Sequence, residues 1–171
     1  MMVAARDGVA ALTLDAVAAE SGVSKGGLLY HFATKEHLLH GLVRDCLDRW
    51  SADLAARIDS DPRPGGAGAR AYVSAVAGPD HDPVREMALL AATALEPSTA
   101  DLWRETAMEW TAGDADPPAD DERIVDLLLV RLAADGLWLA RTLDLYDLTN
   151  ERLAAVAKRL HEMTGPAVGA T

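Results

Sequence analysis

One stretch of the chain, residues 35–58, sets the tightest limit on what it can fold into. Thr34 precedes this stretch as a suitable helix N-cap, and the breaker-rich segment 61–66 follows it. Apolar side chains recur every three or four residues and form one continuous helical stripe of Leu38, Leu39, Leu42, Val43, Cys46, Leu47, Trp50, Leu54 and Ile58. At the rise of an α-helix, the pattern predicts a helix roughly 36 Å long.

The remaining segments are predicted to be helical as well, because the same spacing recurs and no alternating β-branched run indicates a strand. Pro and Gly residues separate the segments. The fold class is therefore all-α. The predicted helices after the long one cover residues 69–76, 84–95, 98–111, 122–143 and 150–163, and the polar, acidic segment 113–121 is expected to be an exposed loop.

The segment 122–143 is apolar on nearly every face, so a single small subunit can hardly cover it. It carries Asp126, Arg131, Asp135 and Arg141, which are too many charges for a lipid-exposed span, and we expect no membrane association. A second copy of the chain, rather than lipid, is therefore expected to cover the apolar faces of this segment. We therefore predict a homodimer in which 122–143 and 150–163 pack with their partner copies as a four-helix bundle.

Charge is distributed unevenly along the chain. The net charge is −11, yet residues 1–50 contain five Lys/Arg and six Asp/Glu, so that the remaining residues carry −10 of the total. An acidic body with a near-neutral N-terminal head repels DNA everywhere except at the head.

Residues 13–32 have the pattern of a helix-turn-helix. Thr13 caps a short helix over 14–21, and Gly22 suits the left-handed conformation that ends a helix. Ser24 caps a second helix over 25–32. Val23 is expected to fill the space between the two helices, and Leu28 and Phe32 are expected to be core residues with it. This second helix begins with Gly26 and Gly27, poor helix formers whose missing side chains suit close approach to a phosphate or a base edge.

The run Gly22-Val23-Ser24-Lys25-Gly26-Gly27-Leu28, followed by Tyr30-His31-Phe32 and Lys35-Glu36, resembles the DNA-binding signature of the tetracycline-repressor (TetR) family. The resemblance covers residues 8–40. It implies a three-helix helix-turn-helix head over residues 1–40, with its first helix truncated, and a helical effector-binding and dimerisation domain over residues 41–171.

The resemblance also implies roles for individual residues of the head. The recognition helix begins in the major groove of double-stranded operator DNA, where Lys25 reaches a phosphate or a guanine edge. Leu29 stands where many members carry an aromatic residue, so that one phosphate contact is either lost or replaced by an apolar contact to a thymine methyl. The implied DNA-binding residues are Thr13, Ser24, Lys25, Gly26, Gly27, Leu29, Tyr30, His31 and Lys35.

A small-molecule effector site is implied by the same resemblance, because members of the family use helices in the second domain for that purpose. Its lining residues are predicted among Met87, Leu90, Trp103, Ala107 and Trp110, and the plain alternative is that these side chains only form core. The five histidines include one helical pair, His37 and His40, with no third ligand nearby, so no metal is predicted. No cofactor is predicted either.

Two classes of function stay open at this level. The first is a ligand-responsive transcriptional regulator, a repressor that binds a palindromic operator as a homodimer. The second is a DNA-binding-deficient small-molecule sensor or interaction partner, which the truncated first helix motivates. An enzyme is not predicted, because no nucleophile–base pair, phosphate loop or paired carboxylates can be argued. The single cysteine, Cys46, and the lack of a signal-peptide pattern favour a cytoplasmic location.

Overall fold

The computed structural model describes residues 13–63, 65–112, 114 and 121–165, and within these ranges all regular structure is helical. This confirms the all-α prediction. The truncated first helix of the sequence-based interpretation lies outside the described residues. In chain order the helices are α1 (Leu14–Ser21), α2 (Lys25–His31), α3 (Lys35–Asp59), α4 (Ala67–Ala77), α5 (Pro83–Leu95), α6 (Thr99–Ala112), α7 (Asp121–Thr142) and α8 (Asn150–Met163).

Local capping fixes the ends of the first two helices. The Thr13 hydroxyl accepts a hydrogen bond from the Ala16 backbone N–H at 3.1 Å, and Gly22 ends α1 with a φ of 69°. The Ser24 hydroxyl accepts from the Gly27 N–H at 3.1 Å and starts α2. Helix α2 ends one residue earlier than predicted, because Phe32 is its C-cap in extended conformation.

The long helix α3 has 25 residues and begins where the sequence places it. The Thr34 hydroxyl accepts from the His37 N–H at 3.2 Å, which confirms Thr34 as the capping residue. Near its start, Gly41 lies beneath the ring of Phe32: an added Cβ would stand 2.6 Å from the Phe32 Cε1 atom. This glycine therefore allows the end of α2 to pack closely on α3.

The chain divides into two compact units. Among the described residues, one unit takes in 13–49 and 82–105, and the other takes in 50–81 and 106–165. In the first unit, Val23 is exposed although the sequence analysis placed it in the core, because it follows the Gly22 turn and lies on neither helix. The buried apolar residues of the first unit are Ala18, Leu28, Leu38, Leu39, Val43, Leu47, Ala88, Leu89, Ala92 and Leu102.

The second unit is built around α4, which packs against both α7 and α8. Small residues such as Ala69 and Ala71 allow this close contact. Seven of the eleven residues of α4 are buried and the other four are partly buried. The core of this unit consists of Leu54, Ala69, Ala71, Tyr72, Val73, Val76, Leu127, Val130, Ala134, Leu137, Leu153 and Leu160.

None of the described helices is long and apolar enough to cross a membrane.

A buried arginine ties the loop before α4 to the end of α8. The Arg70 guanidinium donates to the Asp61 carboxylate at 2.5 Å and to the carbonyl oxygens of Arg63, Gly65 and Thr164. Hydrogen bonds from Arg63, followed by those from Arg70, hold the pKa of Asp61 well below its usual range. The stabilisation from this carboxylate is therefore fully present above the ordinary pKa of an aspartate, and it is lost progressively as the pH falls from there through the lowered pKa of Asp61.

Candidate functional site

Helix α2 presents most of its side chains to solvent. Its one buried residue is Leu28, which faces inward with Ala18 of α1. Tyr30 is 87% exposed, far more than a tyrosine that contributes to packing, and its ring meets that of His31 edge-on at 5.2 Å. The exposed residues on and next to this helix include Ser24, Lys25, Gly26, Gly27, Leu29, Tyr30 and His31, all of them predicted DNA-binding residues.

The two glycines of α2 differ in their surroundings. A Cβ on Gly26 would meet no described atom within 4 Å, whereas a Cβ on Gly27 would lie 3.2 Å from the Ser24 hydroxyl oxygen. The described residues therefore give no packing reason for glycine at position 26, although glycine is a poor helix former. Glycine there leaves the helix start accessible to close approach by another molecule.

Three helix starts in the head carry a hydroxyl cap: Thr13 before α1, Ser24 before α2 and Thr34 before α3. Each hydroxyl accepts from its helix and keeps its own proton to donate elsewhere. Helix N-termini also favour anions through their unpaired N–H groups. Lys35, the first residue of α3, is partly buried. These features suit contact with phosphates.

One ion pair joins α1 to α2. The ammonium group of Lys25 lies 2.9 Å and 3.0 Å from the two carboxylate oxygens of Asp15, and both side chains are mostly exposed. Sequence reasoning gave Lys25 a role in DNA binding but did not include Asp15. The helix-turn-helix places the two residues together although ten positions separate them.

A second exposed surface runs along α7 and ends one residue past the helix. We call it the α7 stripe, and its residues are Val125, Leu129, Leu132, Gly136, Leu139 and Leu143. Its five apolar side chains are all at least 40% exposed. Their spacing alternates between four and three residues, as in helices that pair side by side. The middle position is Gly136, where a Cβ would meet no described atom within 4 Å. The opposite side of α7 supplies Leu127, Val130, Ala134 and Leu137 to the core of its own unit.

Four aromatic rings form a cluster in the second unit: Trp50, Tyr72, Trp110 and Trp138. The rings of Tyr72, Trp110 and Trp138 surround that of Trp50 at centroid distances of 5.7–6.1 Å. The Tyr72 hydroxyl donates to the Asp135 carboxylate at 2.6 Å, and the Trp110 indole N–H donates to the Ser51 hydroxyl at 2.9 Å. Burial, followed by the Asp135 charge, raises the pKa of Tyr72 and keeps the phenol protonated.

Asp114 has a structural role that the sequence analysis did not predict. The segment 113–121 was expected to be exposed, yet the Asp114 carboxylate accepts from the Ala69 N–H at 3.0 Å and pairs with Arg131 at 2.6 Å. Arg131 also donates to the Trp110 carbonyl oxygen and lies over the Tyr72 ring. An added Cβ on Gly68 would stand 2.8 Å from the Asp114 carboxylate, so this position needs glycine.

The predicted effector-binding residues fall in both units. In the first unit, Met87 is exposed, Leu90 is partly buried, and the Trp103 indole N–H donates to the Thr93 hydroxyl at 2.9 Å. In the second unit, Ala107 is exposed and Trp110 belongs to the aromatic cluster. Across the described ranges no group of three or more His, Cys, Asp or Glu residues is arranged to hold a metal ion.

The head has the geometry of a helix-turn-helix DNA-binding module, and the chain as a whole matches a family of such proteins. Residues 1–42 match the family described as "Bacterial regulatory proteins, tetR family", and residues 66–165, more than half of the chain, match "Tetracyclin repressor-like, C-terminal domain". No curated protein matches the chain. The chain belongs to the TetR family and is a DNA-binding transcriptional regulator, which confirms the resemblance noted from its N-terminal residues.

Proposed function

We propose that this protein is a ligand-responsive repressor that binds a palindromic operator as a homodimer. The observation that carries the proposal is the exposed surface of α2, where a Cβ added to Gly26 would meet no described atom within 4 Å and Tyr30 is 87% exposed. Residues 1–40 form the DNA-binding part in this proposal, and residues 41–171 bind the effector and dimerise. A regulator of this kind acts on the chromosome, which places it in the cytoplasm.

Recognition combines base contacts from the start of α2 with phosphate contacts around it. Ser24, Lys25, Gly26 and Gly27 enter the major groove, where Lys25 reaches a phosphate or a guanine edge. Leu29 contacts a thymine methyl. The surrounding residues fix the register of the head on the duplex without reading sequence. Those phosphate-binding residues are Thr13, Tyr30, His31 and Lys35.

The homodimer is proposed to form through the α7 stripe and the exposed side of α8. Apolar side chains at alternating spacing on a solvent-facing helix surface favour a second helix as their cover. Gly136 supports the proposal, because glycine inside a helix is unfavourable and a close crossing with the partner's α7 accounts for it. Val156 on α8 adds one exposed apolar side chain to this surface.

The proposed candidates for effector contact are Met87, Leu90 and Trp103 in the first unit and Ala107 and Trp110 in the second. Three of these residues lie on α6, and both tryptophans have their indole N–H groups bonded to hydroxyls, which holds the rings in fixed orientations. Aromatic side chains with a few placed polar groups suit a small, largely apolar molecule. Binding there would shift α6, change the separation of the two heads and release the operator.

Replacing Tyr30 with phenylalanine tests the DNA contact, because it removes one hydroxyl and keeps the ring. The variant is expected to bind all duplexes about tenfold more weakly, since each dimer loses two hydrogen bonds to phosphate and a phosphate contact carries no sequence information. Fluorescence anisotropy with a selected duplex and a random duplex at equal salt measures both affinities.

The matched control is Tyr146→Phe, which removes the same hydroxyl from a tyrosine that is 80% exposed outside the head. This control is expected to bind like the parent. If Tyr30→Phe also binds like the parent, or loses affinity only for the selected duplex, Tyr30 is not the phosphate contact proposed here.

A further inference from the structure

The head contains very little positive charge. Between residues 13 and 34 the sequence has a single Lys or Arg, Lys25, against two carboxylates, Asp15 and Glu20. The structure holds this one cation in an ion pair with Asp15, at 2.9 Å and 3.0 Å from its two oxygens. The one ammonium group in this segment that could attract a phosphate is therefore already paired within the subunit.

We propose that Asp15 is an internal counter-ion that competes with DNA for Lys25 and sets the DNA affinity of the head. The proposal rests on the proposed function, because it takes α2 as the DNA-binding helix. Asp15 touches neither base nor phosphate in this account. It acts through Lys25 and is an affinity-setting residue.

The exposure of the pair makes the competition possible. The Lys25 and Asp15 side chains are 58% and 68% exposed, and ion pairs in such surroundings are weak enough to be exchanged for another anion. When Lys25 turns to a phosphate, the Asp15 carboxylate loses its partner and stays close to the negative duplex. Both effects weaken binding, and neither depends on the base sequence.

The competition also changes how binding depends on salt. A lysine that is free before binding allows counterions to leave the DNA when it contacts a phosphate, whereas a lysine that is already paired contributes less. Removing the Asp15 charge is therefore expected to steepen the plot of log affinity against log salt by about 0.9 per subunit. A structural role in capping or packing would leave this slope unchanged.

The test compares Asp15→Asn with Glu20→Gln, which removes the same charge from the same helix. Affinities of the full chain for one random duplex are measured by fluorescence anisotropy between 50 and 300 mM salt. Asp15→Asn is expected to bind about tenfold more tightly than the parent at the lowest salt, with the steeper slope, and Glu20→Gln is expected to show a smaller gain. Circular dichroism checks that every variant is folded.

Lys25→Gln supplies the second arm. In that background Asp15→Asn is expected to gain no more than Glu20→Gln, because the cation for which Asp15 competes has gone. Three results would overturn the proposal. Asp15→Asn could match Glu20→Gln in affinity and salt slope, or its gain in affinity could persist in the Lys25→Gln background. Asp15→Asn could also bind DNA more weakly than the parent when Lys25 is present. If the parent binds DNA and any of these results is found, only this inference is overturned. If neither the parent nor any variant binds DNA, the proposed function is overturned as well.

Discussion

Replacing Leu132 with glutamate is expected to convert the homodimer into monomers, raising its dissociation constant about a thousandfold or more. Leu132 lies in the middle of the α7 stripe, and twofold symmetry places the change at the interface twice. Each subunit loses the burial of one leucine, worth about 1.5–3 kcal/mol, and must desolvate a carboxylate. Sedimentation velocity over a range of protein concentrations measures the constant.

The matched control is Leu95→Glu on α5, because Leu95 is 54% exposed and Leu132 is 57% exposed. The two substitutions are therefore expected to lower the free energy of unfolding of the subunit by similar amounts. They differ because the partner subunit is proposed to cover Leu132 but not Leu95. Leu137 is unsuitable for this experiment, since it belongs to the core of its own unit. A stable dimer from Leu132→Glu would remove the α7 stripe from the interface, and dissociation by both variants would point to unfolding.

Replacing Gly26 with leucine is expected to weaken binding to the selected duplex about a hundredfold or more without loss of stability. The new side chain would start from a Cβ that meets no described atom within 4 Å, and leucine is the better helix former. The free energy of unfolding is therefore expected to stay equal or rise by up to about 1 kcal/mol. The same side chain stands between α2 and the groove at both half-sites, and overpacking costs about 1–3 kcal/mol at each.

Ala94→Leu on α5 is the control for this substitution, because it adds an apolar side chain at an exposed helical position outside the head. It is expected to bind DNA like the parent. Thermal unfolding of both variants separates a loss of contact from a loss of fold. Undiminished binding by Gly26→Leu would show that the start of α2 does not approach DNA closely.

The sequence was enough to locate the helices where local interactions fix their ends. Thr13 and Gly22 delimit α1 as predicted, and Thr34 caps the start of α3, because a cap needs only neighbours three or four residues away. Helix α8 also has its predicted bounds, Asn150–Met163. Capping and apolar spacing are properties of adjacent residues, and sequence reasoning can read them directly.

The interactions that sequence reasoning missed all join distant parts of the chain. Asp114 stands in an acidic segment, and only the fold brings it to Arg131 and to the start of α4. Arg70 likewise reaches the Thr164 carbonyl oxygen across 94 positions. The prediction that Val23 is a core residue was wrong, because an apolar residue in a tight turn need not point inward. Composition and spacing carry no information about such pairings.

The candidate site shows the same division. The exposed face of α2 follows from Ser24, two glycines and Tyr30, and these residues were readable as a motif. The pairing of Lys25 with Asp15 depends on how α1 and α2 cross, which the spacing of the residues along the chain does not reveal. For the effector, the sequence supplied candidate aromatic residues, whereas the hydroxyl partners of Trp103 and Trp110 required the structure.

The central claim is sequence-specific DNA binding by a homodimer, and selection from fragments of the source genome tests it most directly. The parent chain is incubated with the fragments and an excess of random duplex, and bound DNA is sequenced and footprinted. The account predicts recovery of a few sites with inverted half-sites whose centres lie one or more helical turns apart, protected on one face of the duplex. Recovery of no enriched site, by a chain that is folded and dimeric, would contradict the account and favour a sensor that does not bind DNA.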